Sequence, residues 1–121
     1  MFSKQKNEVK HLKSKKEIEL LFSEGNHLAS GVLKLVCEKQ ENLVLKLGFG
    51  VSKRHFPKAV DRNRIKRLIR EAYKEIRLNP DYTVFYGRGF FVFTGKKMPR
   101  FNDMIPLMHD LINRWSSLKK T

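Results

Sequence analysis

The segment RHFPKAVDRNRIKRLIREAYKEIR, residues 54–77, decides how this chain folds. Pro57 bars a strand interior, and from about Ala59 the apolar residues recur at helical spacing until Asn79-Pro80 ends the run. At about 100° per residue, with Arg62 at zero, Lys66 falls near 40°, Arg70 near 80°, Lys74 near 120° and Arg67 near 140°. Ile65, Leu68, Ile69, Ala72 and Ile76 occupy roughly 240–340° of the same wheel. Glu71 and Glu75 fall at the far edge of the cationic arc, and Asn63 falls in its middle. One face of the helix therefore packs on a sheet, and the other is a nearly unbroken cationic stripe.

Upstream, Ser14 and Glu17 have the S-x-x-E spacing of a capping box ahead of Ile18, Leu21 and Phe22, and Gly25 closes that helix. Leu28–Lys39 and Leu43–Ser52 read as strands, the second with Leu43, Leu45, Leu47, Phe49 and Val51 on one face. The polar break Gln40-Glu41-Asn42 suits a hairpin between them. Downstream, Tyr82–Tyr86 and Phe90–Thr94 are strand-like, with Gly87-Arg88-Gly89 expected to turn between them. A last helix is expected from Asn102, its N-cap, to Leu118, with Met104, Leu107, Met108, Leu111, Ile112 and Trp115 at helical spacing. A helix inside a run of strands makes the class α+β, a small sheet with helices packed on it. Residues 1–121 form a single domain, and the polar, basic stretch 1–13 is expected to be a mobile arm.

Composition narrows the function. The 121 residues hold 26 Lys and Arg against 12 Asp and Glu, a net charge of +14. With 40% hydrophobic residues and nine Phe, the chain is too apolar for a disordered basic tail. A charge this high repels itself unless a polyanion neutralises it, which makes nucleic acid the leading partner class. No apolar run approaches a membrane span, and the Lys-rich N-terminus is no signal peptide, so a soluble, cytoplasmic protein is expected. Cys37 is the one cysteine, which excludes an internal disulfide and a cysteine-based zinc site. His11, His27, His55 and His109 are scattered, with no metal-ligand spacing and no His/carboxylate cluster for catalysis. Phe49 between Gly48 and Gly50 lies in a strand, so that G-x-G is no dinucleotide fingerprint.

Residues 53–77 carry ten basic and three acidic side chains, a local charge of +7 and half the total. A face built only for solubility mixes signs; this one separates them. Five of the helix cations near the stripe are Arg, whose planar fork pairs phosphate oxygens two at a time. Asn63 among them can both donate and accept, as a base edge or a ribose 2′-OH requires. The cations run the length of the helix, whereas a DNA recognition helix needs its contacts at the N-terminal end. That distribution suits phosphates on a structured RNA.

The run V-S-K-R at 51–54 followed by A-V-D-R-N-R-I-K-R-L-I-R-E-A at 59–72 resembles the bacterial ribonuclease P protein family, with F-S-E-G at 22–25 and L-G-F-G-V-S-K at 47–53 in support. The resemblance implies a four-stranded sheet with about three helices, of the ribosomal S5 domain 2-like class. The implied order is α-β-β-β-α-β-α with a left-handed crossover, against the usual handedness. It also implies a protein that is not itself catalytic: a large catalytic RNA with bound Mg²⁺ removes the 5′ leader of precursor tRNA. By matching positions, Lys53, Arg54, Arg62, Asn63, Arg64 and Arg67 would meet the catalytic RNA. Phe22, Gly50, Lys66 and Arg70 would lie along the precursor-tRNA leader. No catalytic or metal-ligating residue, no membrane contact and no protein partner is implied. Ile18 and Val36 depart from the family by lacking rings found in the leader cleft of relatives, and Phe56-Pro57 replaces a glycine-containing loop.

Overall fold

The computed structural model describes residues 8–40 and 44–119. Its elements are β1 (Glu8–His11), α1 (Lys15–Glu24), β2 (Asn26–Ser30), β3 (Leu33–Lys39), β4 (Val44–Val51), α2 (Ala59–Arg77), β5 (Gly87–Phe93) and α3 (Phe101–Ser116). The five strands form one sheet in the order β1-β4-β5-β3-β2. β4 and β5 are parallel neighbours joined through α2, and β5 pairs antiparallel with β3 on its other side.

Strict alternation divides the sheet into two faces. Leu45 and Leu47 of β4, Leu33 and Leu35 of β3, and Phe91 and Phe93 of β5 bury against Ile65, Ile69 and Ala72 of α2 and Met104, Met108 and Trp115 of α3. The opposite face is lightly covered: Leu21 of α1 packs with Leu12 and Val36, flanked by Ile18 and Phe90. Cys37 lies in the main core, where burial pushes its thiol up to about 12, far from thiolate chemistry.

The helix boundaries follow local chemistry. Ser14 Oγ accepts from the Glu17 backbone N–H at 3.3 Å, and the Gly25 N–H closes α1 on the Leu21 carbonyl at 2.7 Å. α2 ends where the Leu78 N–H reaches the Lys74 carbonyl, ahead of an Asn79 side chain that accepts from the Asp81 N–H.

Several expectations are corrected. The sheet has five strands rather than four, because Glu8–His11, expected within a mobile arm, pairs in parallel with β4. One apolar residue, Val9, in a four-residue strand leaves no alternation to read. Residues 1–7 of that arm lie outside the described residues. The stretch 28–39 is a hairpin rather than one strand: Gly31 turns at φ 56°, and β2 folds back on β3. The hairpin expected across Gln40-Glu41-Asn42 does not pair its flanking strands, since β5 lies between β3 and β4; residues 41–43 are outside the described residues. Gly87-Arg88-Gly89 is the start of β5 and not a turn, and 82–86 is not strand. Glycine is required at position 89 because a Cβ there would overlap the Trp115 ring. α3 begins one residue before its expected cap, with Arg100 at the N-cap position.

Charge also holds α1 to the sheet. Glu17 takes Lys46 Nζ at 3.1 Å and Arg88 Nη1 at 3.1 Å, and Arg88 also pairs with Glu38. The hydrogen bond from Lys46 is the main cause holding the Glu17 carboxyl below its usual range. This contribution is present above the unfolded carboxylate pKa and is lost as pH falls through the lower folded value. Glu17→Gln should therefore lower stability by about 1 kcal/mol or less at pH 7, as expected for partly exposed pairs. Urea unfolding of both proteins across pH should show the difference closing at acid pH. A constant difference would contradict the ionic account.

Candidate nucleic-acid interface

Burial sorts the cations of α2 into two rows. Arg62, Lys66 and Arg70 are half-buried where the helix leans on the sheet, while Asn63, Arg64, Arg67 and Lys74 are exposed. Tyr73, which the periodicity leaves off the apolar arc, is buried, and its hydroxyl meets that of Tyr82 at 2.9 Å.

Arg62 organises the loop ahead of the helix. Its Nη1 donates to the carbonyls of Phe56 and Pro57, both at 2.8 Å. Phe56 anchors the same loop by burying its ring against Phe93, 6.0 Å between centroids. The Phe56 N–H closes on the Ser52 carbonyl, and Ser52 Oγ accepts from the Arg54 N–H. Lys53 and Arg54 are thereby held exposed at the loop tip, next to the start of α2. Among the described residues, Lys53, Arg54, Arg64 and Arg67 have no carboxylate within ion-pair distance, unlike Lys46, Arg88 and Arg114.

The four residues expected along a leader fall on two faces of the sheet. Phe22 is 37% exposed, with its ring edge-on to Phe90 at 5.5 Å and to His27 at 6.4 Å. Gly50 lies beneath that same Phe90 ring, where an added Cβ would crowd it at 2.8 Å. Lys66 and Arg70 are on the opposite side. The Arg70 guanidinium lies over the Phe49 ring at 5.2 Å, and both cations act on His11. The faces meet at a short edge: β1 stops at His11, opposite Leu47, so from Phe49 to Val51 β4 pairs with β5 alone and its other side is open.

Phe90, expected as the first residue of a strand after a turn, lies in the middle of β5, and its place beside Phe22 was not read from the sequence. Its signal was the alternation Arg88-Phe90-Val92 against Gly89-Phe91-Phe93, masked by two glycines. Ile18 and Val36, the ringless positions, join the apolar cluster under α1 instead. Among the described residues no three His, Cys, Asp or Glu side chains come together to hold a metal, and no helix is long and apolar enough to cross a membrane.

A sequence model of the family described as Ribonuclease P matches residues 7–102. The chain is 41% identical over 68 residues to the ribonuclease P protein component of Chlorobaculum tepidum, covering 51% of this chain but only 44% of that protein. It is 34% identical over 90 residues to the ribonuclease P protein component of Clostridium kluyveri, covering 74% of this chain and 77% of that one. The solved RNase P protein from Thermotoga maritima shares the fold with a TM-score of 0.72 at 21% identity, over 87% of this chain and 96% of that chain.

Proposed function

The chain belongs to the ribonuclease P protein family, matched over residues 7–102, and from that premise we propose that it is the protein subunit of a ribonuclease P holoenzyme. It binds the catalytic RNA and the 5′ leader of precursor tRNA, and so assists endonucleolytic release of the mature 5′ end in the cytoplasm. The observation that carries this reading is the set of cations on and before α2 that no carboxylate of the described residues pairs: Lys53, Arg54, Arg64 and Arg67. Unpaired surface cations segregated on one face attract phosphates without first breaking an internal ion pair.

In this division of roles Lys53, Arg54, Asn63, Arg64 and Arg67 contact the catalytic RNA. Arg62, with Nη1 on two loop carbonyls, presents Lys53 and Arg54 as well as facing the RNA. Phe22 stacks an unpaired leader base, with Gly50 leaving room beside it, while Lys66 and Arg70 meet leader phosphates around the open edge of β4. Mg²⁺ held by the RNA supplies the hydrolytic chemistry. The protein's cations offset repulsion between the two RNAs, lowering the Mg²⁺ needed and favouring precursor over product.

Two variants in two titrations test the division. Arg67→Ala should weaken association with the catalytic RNA and leave the precursor-over-mature preference of the assembled complex unchanged. Phe22→Ala should spare assembly and reduce that preference about fivefold or more, the worth of one base stacked on a ring. Equal losses from both variants in both titrations would overturn it.

A further inference from the structure

On the face of the sheet away from Phe22, a groove of about 310 Å³ runs between β1 and α2 over β4. Leu47, Phe49 and Tyr73 line it with apolar surface, while Arg70, Lys74 and His11 stand around them. No Asp or Glu lines it among the described residues. Phe49 stacks on Phe91 at 6.0 Å with 11° between ring planes, and the Arg70 guanidinium lies over the Phe49 ring at 5.2 Å. Arg70 is thus a half-buried planar cation held over an aromatic pair, and its plane is a surface on which a nucleobase can lie flat. Lys74, one turn further along α2 and exposed, offers a point charge for the adjoining phosphate.

We propose that this groove binds one unpaired nucleotide of a single-stranded RNA, its base stacked on Arg70 and its phosphate on Lys74. Charge complementarity selects that occupant. A cationic rim without a carboxylate repels the chain's own Lys4 and Lys6, and a purely apolar peptide would leave Arg70 and Lys74 without a counter-charge. His11 adds discrimination. Burial first, then Lys13, Arg70 and Lys66, hold its pKa below the ordinary value, so the ring is neutral at pH 7 and carries one donor and one acceptor. Such a ring can read a base edge or a 2′-OH. The site shares Arg70 with the proposed leader contacts but lies on the other face of the sheet from Phe22, Gly50 and Phe90, and it rests on the reading that the chain binds RNA.

The test uses the full chain with hexauridylate carrying 4-thiouridine as the probe. Photocrosslinks are expected at His11, Phe49 or Tyr73 and should persist in Phe22→Ala. His11→Glu, at an exposed position that folding tolerates, puts a carboxylate in the groove and should weaken hexauridylate binding about fivefold or more. Phe49→Leu should do the same, with circular dichroism melting confirming that each variant is folded. Crosslinks confined to the peptide around Phe22, with His11→Glu binding as the parent does, overturn the groove and leave the RNA-binding reading intact. So does binding to catalytic RNA without any binding of hexauridylate, or equal occupancy by an oligoglutamate. Failure to bind any RNA overturns both. Placing 4-thiouridine either in a precursor leader or in the catalytic RNA then assigns the source of the nucleotide.

Discussion

Trp115→Ala should cost about 3–5 kcal/mol of folding stability, the range for emptying a buried aromatic site. Trp115 is 0% exposed, and its ring meets Phe85 edge-on at 4.8 Å and Phe91 at 6.4 Å. It also lies directly over Gly89 in the middle strand, so the backbone there has no side chain with which to fill the void. The indole N–H donates to the Glu38 carbonyl at 3.1 Å, which loses that partner in the variant. Domains of this size have only about 5–15 kcal/mol in total, so the variant should be partly unfolded near physiological temperature. Urea unfolding followed by circular dichroism measures it, since the chain has one tryptophan and the variant none. A loss under about 1 kcal/mol would mean that α3 does not seal the core as described.

The second large effect is on RNA binding. Five cations, Lys53, Arg54, Arg62, Arg64 and Arg67, contacting phosphates of the catalytic RNA would make log K fall with log salt at a slope of magnitude about 4. Replacing Arg64 and Arg67 together with alanine removes two contacts. The slope should drop by about 2, and affinity at 0.15 M salt by roughly 20-fold. Both arginines are exposed, and neither has a carboxylate partner among the described residues, so folding should be unchanged. Filter binding to the catalytic RNA over a salt series measures both quantities. An unchanged slope would place the RNA on some other face.

What was legible in the sequence was what local chemistry encodes. The capping residue Ser14, the stop at Gly25 and the extent of α2 each follow from signals within a few residues, and the structure matches them. The cationic stripe was legible because helical periodicity separates it from the core. Pairing across the sheet was not. The insertion of β5 between β3 and β4 is decided by contacts dozens of residues apart, and a polar break such as Gln40-Glu41-Asn42 carries no information about which strands become neighbours. Glycine misled where close approach, not turning, demanded it: Gly87 and Gly89 lie against Glu38 and Trp115 within a strand. At the candidate site, the surface charge of α2 was readable, but the division of the expected leader residues between two faces of the sheet was not. That division depends on which way β4 alternates and where β1 stops. Arg62 was readable as a cation, whereas its two bonds to the loop carbonyls required the folded loop.

Cleavage of precursor tRNA at low Mg²⁺ shows whether these cations serve a ribonuclease P RNA. The source organism's own catalytic RNA should be assayed with and without the full chain. Strong stimulation by the chain is expected, with the 5′ leader released at the correct site, and little stimulation by the Arg64→Ala/Arg67→Ala variant at physiological salt. Tight binding to that RNA with no gain in cleavage at any Mg²⁺ concentration would contradict it, leaving a generic RNA-binding protein.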